Sequence, residues 1–368
     1  MKLLPEYKLM IPGPGGIDDD IIQVMGRPIA AHYGPEWSAL YLETLQLMQQ
    51  VFCTKNEVLF LFNSGMGGLE AALGSLFARE DQILIVNNGF FGQRLFKLAQ
   101  SIGLDPVSVS AEWGQPIRID AIRQTLIENR AIKGIFAVHH DTGTGMLNPI
   151  KEIGEIGQEF DLPLLVDAVS SAGGDPLYVD DWGIDVCVTA GNKALGAPVG
   201  WAAVSVSDRA WKIIDAQENK AAGWYLNLST WRNAIIEEGD WHPSPVTGSS
   251  HILEALHLAL SKICEEGLEN RWQRYKETAE WFRAAMKERG FRCFIEGENA
   301  SSVITALCRP DSIDGADFAS TLYNQHKIQI AFGLGPMKDQ IFRIGHLGHA
   351  QQNIVAFLEA VDDYLERE

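Results

Sequence analysis

Short apolar runs alternate along this chain with stretches whose apolar residues recur every three or four positions. The runs are Glu57–Phe62, Ile83–Val86, Ile135–Val138, Leu164–Val166, Asp185–Thr189 and Trp201–Val206. Their length suits buried strands. Helical patterns lie between them, at Arg94–Ile102, Asp120–Asn129 and Lys151–Phe160, and a further one precedes them at Glu36–Val51. That alternation predicts an α/β fold of βαβ units, with a mainly parallel sheet covered on both faces. Ligands of such sheets collect where loops leave the strand ends.

Beyond the last run, Ile252, Leu256, Leu260 and Ile263 predict a long connecting helix starting near His251. A C-terminal domain follows, with candidate strands at Cys293–Ile295, Ser302–Ala306 and Ile328–Ala331. At the other end, Pro12-Gly13-Pro14-Gly15-Gly16 cannot be regular helix and predicts an extended arm or turn. The expected organisation is an N-terminal arm (1–20), a large domain (21–250) and a smaller α+β C-terminal domain (251–368).

Composition narrows the function classes. The chain has 368 residues, 46% of them hydrophobic, which is enough for a large core. A net charge of −18 argues against nucleic-acid backbones and anionic membranes. Cys53, Cys187, Cys264, Cys293 and Cys308 form no CxxC pair and fit reduced thiols of a cytoplasmic protein. The first ten residues carry no signal-peptide pattern, and no apolar run approaches a membrane span.

The chemistry gathers at the strand ends. Lys193 stands in TAGNKALGAPVG, a tight small-residue connection between two buried runs. Burying an ammonium is costly, and such a lysine tends to lose its charge and become a nucleophile toward aldehydes. Asp167 follows directly on an apolar strand in LLVDAVSSAGG. A carboxylate and a lysine at neighbouring strand ends are the pair that a pyridoxal phosphate site needs, one for the pyridinium nitrogen and one for the aldehyde carbon. After Glu57–Phe62 comes Asn63-Ser64-Gly65-Met66-Gly67-Gly68, then a helical pattern. Strand, glycine turn and helix make an anion site. A dinucleotide-binding reading fails, because no GxGxxG with a later acid follows the first strand.

The ordered motifs SGMGGLEAAL, HHDTGTG, VDAVSS, GNKALGAPVG and FRIGHLG resemble the class V aminotransferases over nearly the whole chain. The likeness is nearest to the alanine–glyoxylate and serine–pyruvate branch. It implies pyridoxal phosphate as cofactor and the fold type I architecture, a large domain with a seven-stranded, mainly parallel sheet plus a small domain. It places Ser64, Gly65 and Met66 at the phosphate and Phe91 on one ring face, with Val169 on the other. Thr142 falls near the phenolic oxygen and Asn192 at the phosphate. Asp167 and Lys193 become the catalytic pair, and Arg343 of RIGH becomes the anchor for the substrate carboxylate. A homodimer with shared sites is implied, in which Thr247 reaches the neighbouring phosphate and the aromatic stretch 211–247 crosses the interface. For His32 and Tyr33 a structural or interface role is expected.

The chain departs from the pattern in three places. Asp141 is one carbon shorter than the usual glutamate, and Met66 replaces a polar side chain. Leu334 stands where the pyridoxamine-specific branch has a second arginine. The implied reaction is amino transfer from alanine or serine to a 2-oxo acid such as glyoxylate or pyruvate. Alternatives are pyridoxamine–pyruvate or 2-aminoethylphosphonate–pyruvate transamination, or a non-catalytic cofactor-binding regulator. A cysteine desulfurase would need a mobile nucleophilic cysteine, and none of the five lies in a matching loop. The vicinal His139 and His140 lack a third partner nearby for a metal.

Overall fold

The computed structural model describes residues 6–367, so the first five residues of the expected arm and residue 368 lie outside the described residues. Seven strands form the main sheet: β1 (Glu57–Leu61), β2 (Gln82–Asn87), β3 (Asp105–Ser110), β4 (Ile132–Val138), β5 (Leu164–Asp167), β6 (Val186–Ala190) and β7 (Ala202–Val206). Their spatial order is β1-β7-β6-β5-β4-β2-β3. Neighbours from β6 through β3 run parallel, while β7 is antiparallel to both β6 and β1. The loop 191–201 returns directly from β6 to β7, which only an antiparallel pair permits; a parallel neighbour needs a longer crossover.

Strand alternation sends successive side chains to opposite faces, and both faces are dry. Val58, Phe60, Leu84, Val86, Ile135, Leu164, Val166 and Ala203 share one core cluster, whereas Leu59, Leu61, Ile83, Ile85, Phe136, Leu165, Val188 and Val204 share another. Among the described residues, twelve α-helices flank the sheets: α1 (Asp19–Met25), α2 (Pro35–Phe52), α3 (Gly65–Leu76), α4 (Phe90–Ser101), α5 (Ile119–Glu128), α6 (Ile150–Glu159), α7 (Asp208–Ala216), α8 (Leu228–Glu238), α9 (Ser250–Glu266), α10 (Leu268–Glu288), α11 (Gly315–His326) and α12 (Ala350–Leu365). Residues of α2, α5, α6 and α9 complete the first cluster, and residues of α3, α4, α7 and α8 the second. This is an α/β fold of the expected class. The helix α9 buries Leu253, Leu256, Leu260 and Ile263 in the large core, so it belongs to the main sheet's packing.

A smaller four-stranded sheet holds β8 (Arg292–Cys293), β9 (Ile304–Cys308), β10 (Ala331–Phe332) and β11 (Ile341–Gly345) in the order β8-β9-β11-β10. Its own core joins Phe282 and Met286 of α10 to Phe318 of α11 and Phe357 of α12, together with Phe342 of β11. Met10 of the N-terminal arm is buried there too. Lys8–Leu9 pairs in parallel with Ile328–Gln329, and Gly345 donates its N–H to the Met10 carbonyl at 2.9 Å. The arm is thus fastened to the small domain before it crosses toward the main sheet. Among the described residues no helix is long and apolar enough to cross a membrane.

Candidate active site

Every chemistry-bearing loop leaves a carboxyl end of the main sheet. Ser64 follows β1, Phe91 follows β2, and Thr142 follows β4. Asp167 closes β5, and Lys193 follows β6. The spatial neighbours β5 and β6 bring the acid and the amine together, although 26 residues of chain separate 167 from 193. A cavity of about 260 Å³ results. Ser64, Gly65, Met66, Phe91, Thr142, Asp167, Val169, Asn192 and Lys193 all line it, together with Leu69, Ser170, Ala190, Val199, Gly200 and Trp201. A larger groove of about 650 Å³ lies along α10 and β8 and contains none of these residues.

One end of the cavity is built for an anion. Ser64 caps α3, its Oγ accepting from the Gly67 N–H at 3.3 Å. The first-turn N–H groups of Gly65 and Met66 have no partner within the helix, and the helix dipole favours negative charge there. Gly65 is required: a Cβ would lie 2.8 Å from Cγ2 of Val169. The indole N–H of the buried Trp201, which also lines the cavity, has no hydrogen-bond partner among the described residues.

At the other end, Lys193 Nζ donates to the Pro12 carbonyl of the arm. Burial, and secondarily the Arg343 charge, lower its pKa to about 8, with Asp167 pulling the other way. Asp167 is 5% exposed. Burial raises its carboxyl to about 6, partly offset by the Val169 N–H at 2.9 Å and by Lys193. An amine that sheds its proton more readily than an ordinary lysine and a sequestered carboxyl suit an aldehyde and a ring nitrogen respectively. The residues present therefore fit pyridoxal phosphate: an anion cradle, an aromatic and a branched aliphatic wall, a buried acid and a reactive amine.

Arg343 sits on β11 in the small sheet, 8% exposed. Its Nε donates to the Phe332 carbonyl at 2.8 Å and its Nη1 to the Thr142 carbonyl at 3.1 Å, so it joins the small domain to the cofactor loop. Burial lowers its pKa to about 10, opposed by Asp141. Thr247 stands apart: it is exposed and does not line the cavity of its own chain.

Asp141, legible in the sequence only as a shortened acid, organises the loop. Its carboxylate accepts from Phe91 N–H (2.8 Å), Gly143 N–H (2.9 Å), Thr144 N–H (3.1 Å) and Thr144 Oγ1 (3.2 Å). It thereby fixes the aromatic wall relative to Thr142. The two histidines are structural. His139 Nδ1 pairs with Ser171 Oγ at 2.9 Å, and His140 Nδ1 with Ser301 Oγ at 3.1 Å. Burial drives their pKa values down to about 4 and 3. His32 and Tyr33 pack in a ring cluster with Trp37, Trp241 and His242.

The aminotransferase class-V family model matches residues 26–338. This chain belongs to that family. It is a pyridoxal phosphate-dependent aminotransferase of fold type I. An uncharacterized aminotransferase of Methanocaldococcus jannaschii is 34% identical, over 96% of this chain and 91% of its own. Among solved structures, an alanine–glyoxylate aminotransferase from Nostoc sp. superposes with a TM-score of 0.94 at 29% identity, covering 99% of this chain and 96% of that one. A pyridoxamine–pyruvate aminotransferase from Mesorhizobium loti gives 0.91 at 27% identity, covering 99% and 94%.

Proposed function

We propose that this aminotransferase moves the amino group of a small amino acid, alanine or serine, to a 2-oxo acid such as glyoxylate or pyruvate. The observation that carries the reading is that Lys193 and Asp167 line one cavity while Arg343, from the small sheet, bonds the carbonyl of the cavity residue Thr142 and acts electrostatically on Lys193. Bound pyridoxal phosphate supplies an electron sink and a carrier for the amino group. Ser64, Gly65, Met66 and Asn192 would hold its phosphate, Phe91 and Val169 would enclose its ring, and Thr142 and Asp167 would bind its phenolic oxygen and its nitrogen. Lys193 takes the proton from the substrate Cα as general base. The planar fork of Arg343 grips the substrate carboxylate and so decides which Cα bond faces Lys193. One cationic anchor beside a cavity of about 260 Å³ suits a short monocarboxylate donor.

We further propose a cytoplasmic homodimer. Trp224 (63% exposed), Trp241 (53%) and Tyr33 (51%) are large apolar side chains left open on one chain, and Val199 beside the cavity is 59% exposed. Exposed apolar surface of this kind marks an interaction site. Thr247, also exposed, would serve the partner's phosphate.

The test is an absorbance titration of the cofactor-loaded enzyme. Alanine or serine should bleach the visible band of lysine-bound cofactor, and glyoxylate or pyruvate should restore it. The Lys193→Ala variant should show no such band. A band that neither amino acid bleaches would remove the donor assignment, and a normal band in Lys193→Ala would remove the lysine.

A further inference from the structure

Behind the Lys193 loop, where α9 meets α10, one arginine touches both loops on which the chemistry depends. Arg271 Nη2 donates to the Ala194 carbonyl at 2.6 Å, and its Nε donates to the Gly173 carbonyl at 2.8 Å. Ala194 is the residue after Lys193, and Gly173 lies in the turn that follows Asp167. The third arm of the fork, Nη1, is held by Glu266 at 2.8 Å. Glu266 also takes two bonds from Arg274, at 2.6 and 2.9 Å, and the Arg271 guanidinium lies 5.4 Å from the Tyr275 ring centroid. The side chain is 12% exposed. Its aim is therefore fixed by neighbours rather than by solvent.

The two loops also press against each other. A Cβ at Gly173 would come within 2.8 Å of Leu195 Cδ2, and one at Gly174 within 2.7 Å of Ala194 Cβ. Their approach is close enough that small shifts of either backbone would move the lysine relative to the acid. A planar guanidinium with donors in fixed directions sets such a separation, whereas an ammonium cannot serve both carbonyls and Glu266 in the same geometry.

We infer that Arg271 is a positioning residue for the transamination site: it clamps the Lys193 loop to the Asp167 turn and sets the spacing of amine and acid. The inference rests on the assignment of Lys193 and Asp167 made above. It concerns a side chain that touches neither substrate nor cofactor.

The test begins on the full-length protein without cofactor, by amide hydrogen exchange. Gly196, Ala197, Gly174 and Asp175 each donate a hydrogen bond within their loop and serve as reporters. In Arg271→Ala these amides should exchange about tenfold faster, the loss expected from a charge-assisted bond, while those of β4 stay unchanged. Arg274→Ala removes a cation from the same Glu266 without touching either carbonyl, and should leave the reporters at wild-type rates. In the loaded enzyme, Arg271→Ala should lower kcat by about tenfold with KM for the donor within about twofold, because Arg343 is untouched. It should also weaken the visible circular dichroism of the bound cofactor. Arg271→Lys should recover part of both effects; if the alanine variant does not fold, the lysine variant carries the test. Unchanged exchange in either loop, or equal effects in Arg274→Ala, would overturn the clamp. The exchange result does not depend on transamination, so a failed donor titration leaves it standing or falling separately.

Discussion

Pro12 and Lys193 lie 181 residues apart in sequence, yet the lysine ammonium donates to the proline carbonyl. The arm follows the lysine closely. Gly15 N–H bonds the Asn192 carbonyl at 3.0 Å, and a Cβ on Gly13 would sit 2.7 Å from Lys193 Cδ and 2.8 Å from Cε. Gly13 also has φ +132°, which side-chain-bearing residues rarely adopt. We predict that Gly13→Ala displaces the lysine side chain and weakens cofactor binding by tenfold or more, on the order of a 1.4 kcal/mol change. Equilibrium titration of cofactor-free protein with pyridoxal phosphate checks this. Wild-type affinity in the variant would show that the arm yields.

The lysine's charge gives a pH prediction. Its folded pKa, about 8, lies below the ordinary lysine value of 10.5. Between those values the unfolded chain binds more protons than the folded one, so this group makes stability rise with pH. The cost of its burial is full below about pH 8 and fades toward 10.5. Competitive labelling of cofactor-free protein with an amine reagent should place the reactivity midpoint of Lys193 near 8. Arg343→Ala removes a neighbouring cation and should move that midpoint upward. A midpoint at the ordinary lysine value would show that the ammonium is hydrated.

Asp167 has the opposite linkage. Its pKa is raised from 3.8 to about 6 by burial, so between these values the folded state binds more protons and stability falls as pH rises. Asp175 is raised similarly, and only the difference between variant and wild type isolates Asp167. Without cofactor, Asp167→Asn should match wild type near pH 4 and exceed its Tm by roughly 2–4 °C above pH 6.5. With cofactor, the same variant should lose about a hundredfold in kcat. Paired thermal melts and steady-state rates check the two halves. A destabilised apoprotein at neutral pH would mean that the carboxylate is paired rather than isolated.

The Arg343 fork is partly committed to protein carbonyls at 2.8 and 3.1 Å, leaving its remaining donors for a ligand. Arg343→Lys should raise the apparent Kd for alanine about thirtyfold or more. A primary amine without a carboxylate should bind equally well to both proteins. Donor titrations followed by the visible band separate the cases. An equal loss for both ligands would make the arginine a structural strut alone.

Much of this was legible before any coordinates. Leu84 and Ile85, or Val58 and Leu59, face opposite cores because both sides of the sheet are covered, and that is why the strands read as continuous apolar runs. The strand Asp105–Ser110 has no such signature because it forms the sheet edge, with only one of its six residues buried, and contains Pro106. The helix α10 is similarly obscured in the sequence. Its buried Trp272, Tyr275, Ala279, Phe282 and Met286 have helical spacing, but charged residues crowd the intervals. Lys193 and Asp167 stood out because a charge next to a buried strand is unusual. Arg271 does not, and Asp141 shows only as a shortened acid, since the importance of both lies in backbone groups that sequence spacing never names.

The two domains meet through a buried carboxylate. Asp175 Oδ1 accepts from the Ser302 N–H and Oδ2 from the Ser301 hydroxyl, each at 2.7 Å, and Ser301 Oγ lies 3.1 Å from His140 Nδ1. Asp175 leaves the large domain just after the Asp167 turn, while Ser301 and Ser302 lead into β9 of the small sheet. Ser301→Ala would strip one partner from a fully buried carboxyl, costing roughly 1–3 kcal/mol. The loss should depend on pH. The wild-type hydroxyl favours the ionised acid, so its removal pushes the Asp175 pKa above about 6. Below pH 5 the acid is protonated in both proteins and the missing bond matters less. Above pH 6.5 the variant must either bury an under-solvated charge or take up a proton, and its Tm should fall further behind wild type. A Tm difference that stayed constant from pH 5 to 7.5 would assign the loss to packing instead of to the carboxylate.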